Sequence, residues 1–140
     1  MSAILSTQNL VKKYGYKIVS NNISLTINKG DIYGFVGKNG AGKTTFMRQV
    51  LGLAFPDSGE ITLFGGEPLN TARKKIGSLI EFPSIYKNCT AYENMKRMAI
   101  LTGSSDKCVR KILDFVGLGN TGNKKAGQFS LGMRQRLGIA

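Results

Sequence analysis

What the chain lacks narrows it first. It has no histidine. Its two cysteines, Cys89 and Cys108, lie far apart and without metal-ligand spacing, so they read as structural residues of a reduced, cytosolic compartment. No apolar run approaches the roughly 18 residues of a membrane span. The N-terminus, MSAILSTQNL, has neither the basic n-region nor the long apolar h-region of a secretory signal. Acidic residues are scarce: 8 Asp and Glu stand against 20 Lys and Arg, a net charge of +12. That excess admits an anionic membrane face, a nucleotide or a nucleic acid as partner. The cations are scattered, however, as Lys12-Lys13, Arg73-Lys74-Lys75, Lys124-Lys125, Arg134 and Arg136, with no block of five or six. A generic solvated surface is the first reading, contact with a partner the second and nucleic acid the third.

What is present suits one domain: 140 residues, 41% of them apolar, are enough for a core. Leu5 to Lys12 alternates loosely and predicts a strand. In NNISLTINKGD, Ile23, Leu25 and Ile27 alternate before a turn at Lys29-Gly30-Asp31 and predict a hairpin arm. Short apolar strands are expected at about Ile32 to Val36, Ile61 to Phe64 and Ile76 to Ile80. Lys43 to Leu53 has helical spacing, with Phe46, Val50 and Leu53 on one face and Met47 and Leu51 beside it. Beyond residue 87 the character becomes helical. Thr90 and Glu93 have capping-box spacing before a helix that Gly103 closes. Val109, Ile112, Leu113 and Val116 form the stripe of a second helix, closed by Gly117. After a polar loop, SLGMRQRLGIA starts a third. The expected division is therefore a β-rich part over 1–87 and a helical part over 88–140.

The most specific stretch is Gly37 to Thr44, GKNGAGKT, which fits the phosphate-loop pattern G-x-x-x-x-G-K-[ST] at every constrained position. A strand before it and a helix after it are the context the chemistry needs. Gly37, Gly40 and Gly42 allow the backbone to curl and approach a ligand closely. Curled N–H groups make an anion nest, and the helix dipole adds about half a positive charge at its N-terminus. Lys43 would reach the β- and γ-phosphates, and the Thr44 hydroxyl would reach Mg²⁺. The competing reading is an ordinary glycine-rich turn before a helix. Two further residues are ambiguous alone. Tyr14, in KKYGYK, is either a packed strand-end residue or an aromatic face for adenine. Ser130, followed by Gly132, is either a plain N-cap or part of a second anion site.

Together these pieces resemble the nucleotide-binding domain of ABC transporters, in family order: KKYG with its aromatic, GKNGAGKTT as Walker A, PDSGEITLFG after the first helix, IGSLIE leading to the Q-loop, TAYENM opening the helical subdomain, and FSLGMRQR in place of the LSGGQ signature. The resemblance covers nearly the whole chain. It implies an α/β P-loop NTPase fold of ABC type, with an antiparallel β part and a helical subdomain. It also implies that Tyr14 stacks on adenine, and that Gly37, Asn39, Gly40, Ala41, Gly42, Lys43, Thr44 and Thr45 hold the phosphates and Mg²⁺ of ATP. Ser130 and Gly132 become the signature contacts. The sequence departs from the family at two places: the Q-loop glutamine is Glu81, and the signature reads Phe129-Ser130-Leu131-Gly132-Met133. Both departures resemble the ATPases of bacitracin-resistance and lantibiotic self-protection exporters. Glu81 would act beside Mg²⁺, directly or through water; the competing reading is a surface glutamate before Pro83.

The resemblance implies ATP and Mg²⁺ as ligands, a second nucleotide-binding domain arranged head to tail, and separate transmembrane permease subunits. It implies no nucleic acid and a place on the cytoplasmic face of the membrane. The alternative is a soluble ABC-type ATP-binding factor without a membrane partner. In the family the Walker B aspartate and catalytic glutamate follow the signature helix, inside which this sequence stops at Ala140. The expectations are therefore that C-terminal core strands are missing, that residues 1–140 alone do not turn over ATP, and that the strands at 32–36 and 76–80 have a gap between them or pair abnormally.

Overall fold

The computed structural model describes residues 2–140 and divides into two compact units, Met1–Ile80 and Glu81–Ala140. The second begins earlier than the change of character at residue 88.

The first unit is built on a three-stranded antiparallel sheet of order β2-β1-β3, with β1 Ala3–Tyr14, β2 Lys17–Asn28 and β3 Ser58–Leu63. Gly15 and Tyr16 make the tight turn between β1 and β2, and Gly15 takes the left-handed conformation. A register shift lies between Gln8 and Val11, where β1 pairs with β3. There Asn9 has φ 47° and Gly59 has φ 90°, and a Cβ on Gly59 would run into the Asn9 carbonyl oxygen. The glycine of the PDSGEI stretch is thus a requirement of the bulge.

Helix α1, Lys43–Leu51, packs Phe46 and Val50 on a core with Leu10, Leu63 and Ala72. It ends earlier than its spacing predicts. Gly52 adopts φ 76° and returns its N–H to Gln49 O at 3.0 Å, which leaves Leu53 69% exposed. Gln49 is buried beside Phe46 and Val50. A short helix α2, Leu69–Ala72, runs into a 3₁₀ turn over Arg73–Lys75. Arg73 Nε donates to Val50 O at 3.0 Å, so this arginine caps the C-terminus of α1.

The expected strands at 32–36 and 76–80 do not form. Ile32 and Val36 are 103% and 95% exposed, and only Phe35 and Ile76 reach the core from these segments. Phe35 stacks on Phe46 with ring centroids 5.0 Å apart. The reason is physical: a strand is held by ladder bonds to a neighbour, and neither segment has one among the described residues. Apolar patterning alone does not make a strand.

The second unit packs α3 Ala91–Thr102, α4 Asp106–Phe115 and α5 Leu131–Ile139 around Met95, Val109, Leu113, Leu118, Phe129 and Leu137. The capping box on α3 is complete. Thr90 Oγ1 accepts from the Glu93 N–H at 3.1 Å, and Glu93 Oε2 accepts from the Thr90 N–H at 2.6 Å. Ser105 and Ser130 cap α4 and α5 in the same manner through the Cys108 and Met133 N–H groups. The α4 C-terminus is closed by Arg136, which donates to Val116 O at 2.8 Å. Asn94 is buried on α3. Its Oδ1 accepts from the Tyr86 N–H at 2.7 Å, and its Nδ2 donates to Tyr86 O and Thr90 O at 3.1 and 2.8 Å. These bonds attach the segment after Glu81 to the helices. The same segment takes Ala126 N–H on Cys89 O and Gly127 N–H on Lys87 O, both at 2.8 Å. The stretch leading to Ser130 is therefore strapped to the stretch following Glu81. Cys89 and Cys108 are both free thiols, and no described helix is long and apolar enough to cross a membrane.

Candidate functional site

Residues 37–44 form a curled loop that ends in α1. The Ala41 N–H donates to Lys38 O at 3.1 Å, closing the turn, and the Phe46 N–H donates to Gly42 O at 2.8 Å, starting the helix. Gly42 is the N-cap, with φ 88°, and no side chain caps the helix. A Cβ at Gly42 would run into the Val19 carbonyl oxygen of β2, so both conformation and space demand glycine. No acidic residue occupies the first turn of α1. The leading amides and the dipole of α1 thus carry uncompensated positive charge.

The Lys43 side chain folds back across this loop. Its ammonium donates to Gly37 O at 2.5 Å and to Lys38 O at 2.8 Å. The cation is held over the curled backbone, where an anion would meet it. Thr44 and Thr45 lie half-buried in the first turn, while Asn39, Gly40 and Ala41 are exposed at the rim. A helix N-terminus, a curled loop and a lysine at its mouth suit a polyphosphate.

Tyr14 lies at the end of β1, 54% exposed. The Lys12 ammonium sits over its ring, 5.4 Å from the centroid. The hairpin that carries Tyr14 is joined to the phosphate-loop helix through Ser20, whose hydroxyl donates to Gln49 Oε1 at 3.2 Å. Both residues are fully buried, and Gln49 Nε2 has no acceptor among the described residues. The remaining candidates fall in the second unit. Glu81 opens it and is exposed. Ser130 caps α5, and nothing lies within 4 Å of the place a Cβ on Gly132 would take. Tyr14 and the loop therefore share one unit, and Glu81, Ser130 and Gly132 share the other.

The pattern that defines the ABC transporter family matches residues 20–140. The chain belongs to the ABC transporter family. It is 48% identical, over its whole length and 47% of the relative, to the bacitracin transport ATP-binding protein BcrA of Enterococcus faecalis. Over 98% of its length and 60% of the relative it is 46% identical to the lantibiotic transport ATP-binding protein SrtF of Streptococcus pyogenes. A solved ATP-binding subunit of an ABC transporter matches 96% of this chain and 59% of its own, with a TM-score of 0.81 at 25% identity. The fold is also that of cbiO1 from Clostridium perfringens, part of the ABC transporter complex cbiONQ, with a TM-score of 0.82 over 99% of this chain and 60% of that one. The P-loop fold of ABC type, with its antiparallel β part and helical subdomain, is therefore the fold of this chain. The chain spans about half the length of the curated relatives it matches.

Sequence reasoning missed four residues of this ABC chain that hold its candidate groups in place. Asp57 stands just ahead of β3, and only the pairing of β3 with β1 brings it to Lys12 and Lys13. Asn94 falls on the stripe of Ala91, Met95 and Ala99, where an amide at a core position marks a buried hydrogen-bonding hub. Gln49 gave the same signal on α1. Arg73 was counted as surface charge and had no local mark.

Proposed function

We propose that the whole protein is the ATP-binding subunit of an ABC exporter, using MgATP binding and hydrolysis to drive export, with a peptide antibiotic as the substrate class. The observation that carries this reading is the Lys43 ammonium folded over the loop at 37–42, at the uncapped start of α1. The kinship with bacitracin and lantibiotic transport proteins supports the substrate class. In this reading the loop amides and Lys43 hold the β- and γ-phosphates, and Tyr14 stacks on adenine. Mg²⁺ takes few protein ligands and completes its shell with phosphate oxygens and water, so the Thr44 hydroxyl and Glu81 suffice on the protein side. Ser130 and Gly132 of one copy face the γ-phosphate held by a second copy, head to tail. The permease subunits are separate membrane proteins, and the ATP-binding subunit lies on the cytoplasmic face against them. In this reading residues 1–140 alone do not turn over ATP, because the carboxylate that orients an attacking water has no counterpart in the loop at 37–44 or in the first turn of α1.

The test is titration of the whole protein with MgATP. Lys43→Ala removes a charge-assisted phosphate contact of about 1.5–3 kcal/mol, an affinity loss of roughly 10- to 150-fold. Unchanged affinity would remove the phosphate-loop reading.

A further inference from the structure

Tyr14 is held by more than its strand. Asp57, which directly precedes β3, makes three contacts with the end of β1. Its N–H donates to Val11 O at 2.9 Å. Its Oδ2 accepts from the Lys13 N–H at 2.6 Å, and its Oδ1 accepts from the Lys12 ammonium at 3.1 Å. The Lys13 amide bond, followed by Lys12, holds the Asp57 carboxyl below the usual carboxylate range. Lys12, fixed by this carboxylate, reaches over one face of the Tyr14 ring. The ammonium takes that face and leaves the other for a flat π-system. On the opposite side of the hairpin, Ser20 is bonded to Gln49 of α1, and Val19 abuts Gly42. Ser20 pairs with Lys12, so the end of the hairpin near its turn is seated on the phosphate-loop helix from the β2 side and held by Asp57 from the β3 side.

We propose that Asp57 is a positioning residue for nucleotide binding: through the Lys13 amide and the Lys12 ammonium it sets the orientation of the Tyr14 ring, and so the separation between the base platform and the phosphate loop. This rests on the reading of Tyr14 as the adenine platform. Asp57 touches no ligand itself. It acts on the adenine half of ATP and not on the triphosphate half, which makes its effect separable from that of Lys43.

The experiment compares affinities of the whole protein for MgATP and for Mg-tripolyphosphate by calorimetric titration. The ratio of the two reports the adenine contact and is indifferent to any fraction of unfolded protein, which lowers both signals together. In Tyr14→Ala the ratio falls about tenfold or more, the worth of one base–aromatic stack. In Asp57→Ala it falls by about three- to tenfold. In Asp57→Asn, which keeps a carbonyl acceptor for the Lys13 N–H, it falls less. In Tyr14→Ala/Asp57→Ala it falls no further than in Tyr14→Ala, because the aspartate has nothing left to position. An unchanged ratio in Asp57→Ala, or losses that add in the double variant, overturns the proposal. A wild-type ratio in Tyr14→Ala overturns the platform reading beneath it. Absence of binding to both ligands in the wild type overturns the phosphate-loop reading instead.

Discussion

The two units of this chain finish their structure by different means. In the helical unit, Glu81–Ala140, each helix is closed at its start by a residue next to it in sequence: Thr90 with Glu93, Ser105 and Ser130. Its buried stripes meet one another in one continuous core. In the β unit, Met1–Ile80, the sheet stops at three strands, and two apolar segments lie beside α1 with no ladder partner among the described residues. Helices satisfy their backbone within a few residues, whereas strands depend on whatever lies alongside. A chain can therefore be locally complete in one half and dependent on distant segments in the other.

The strongest way to break this contrast is amide hydrogen exchange on the 140-residue chain. The N–H groups of α4 around Val109 and Leu113 should be protected on the order of a thousandfold more than those of 32–36 and 76–80. Equal protection would mean the β unit has found partners for these segments. Association between copies would be one route to that, since unpaired apolar segments invite pairing, and sedimentation would reveal it. A smaller effect sharpens the helical side. Leu113→Ala opens a cavity in a closed core and should lower the denaturation free energy of the whole protein by about 2–5 kcal/mol. Phe115→Ala, at an exposed position of the same helix, should change it by less than about 0.5 kcal/mol. Similar losses at both would contradict the core described for α4.

The smallest effect is acid sensitivity. Glu93 is held below its ordinary carboxyl range first by the Thr90 N–H, and Asp106 first by the Tyr92 hydroxyl and then by Arg110. Groups with lowered folded pKa contribute stability above their unfolded value, and the contribution is lost as pH falls through the folded one. The helical unit should therefore keep its stability at neutral pH and weaken only below about pH 4. Glu93→Gln should flatten that acid limb in circular dichroism titrations. An unchanged limb would remove the carboxylate from its account.

Elements whose cause is local were legible. The capping box at Thr90, the stripe of Val109 and Leu113, and the phosphate loop were all read from spacing, because the interacting groups lie within a few residues of each other. The strands at 32–36 and 76–80 were misread for the opposite reason: they are short apolar runs of the kind that form strands, but a ladder needs a neighbour alongside, and neither has one among the described residues. The end of α1 was overrun because Leu53 fits the helical period while Gly52 ends the helix one residue earlier. Of the candidate site, the loop and Tyr14 were visible as residue types. What orients them, Asp57 just ahead of the neighbouring strand β3 and Gln49 on α1, was marked at most by residue type, and its role becomes visible when β1 is seen between its neighbours.

The Lys43 ammonium rests on two carbonyl oxygens of its own loop. An incoming ligand therefore meets a cation that is already engaged and must outbid neutral oxygens for it. A polyanion does so, because it adds the Coulombic attraction of opposite charges to the hydrogen bond, which a neutral carbonyl cannot. An uncharged molecule of the same shape does not, and leaves the lysine where it lies. The loop's own backbone thus acts as a threshold that weakly interacting molecules do not cross, and it keeps the loop in shape while no ligand is bound.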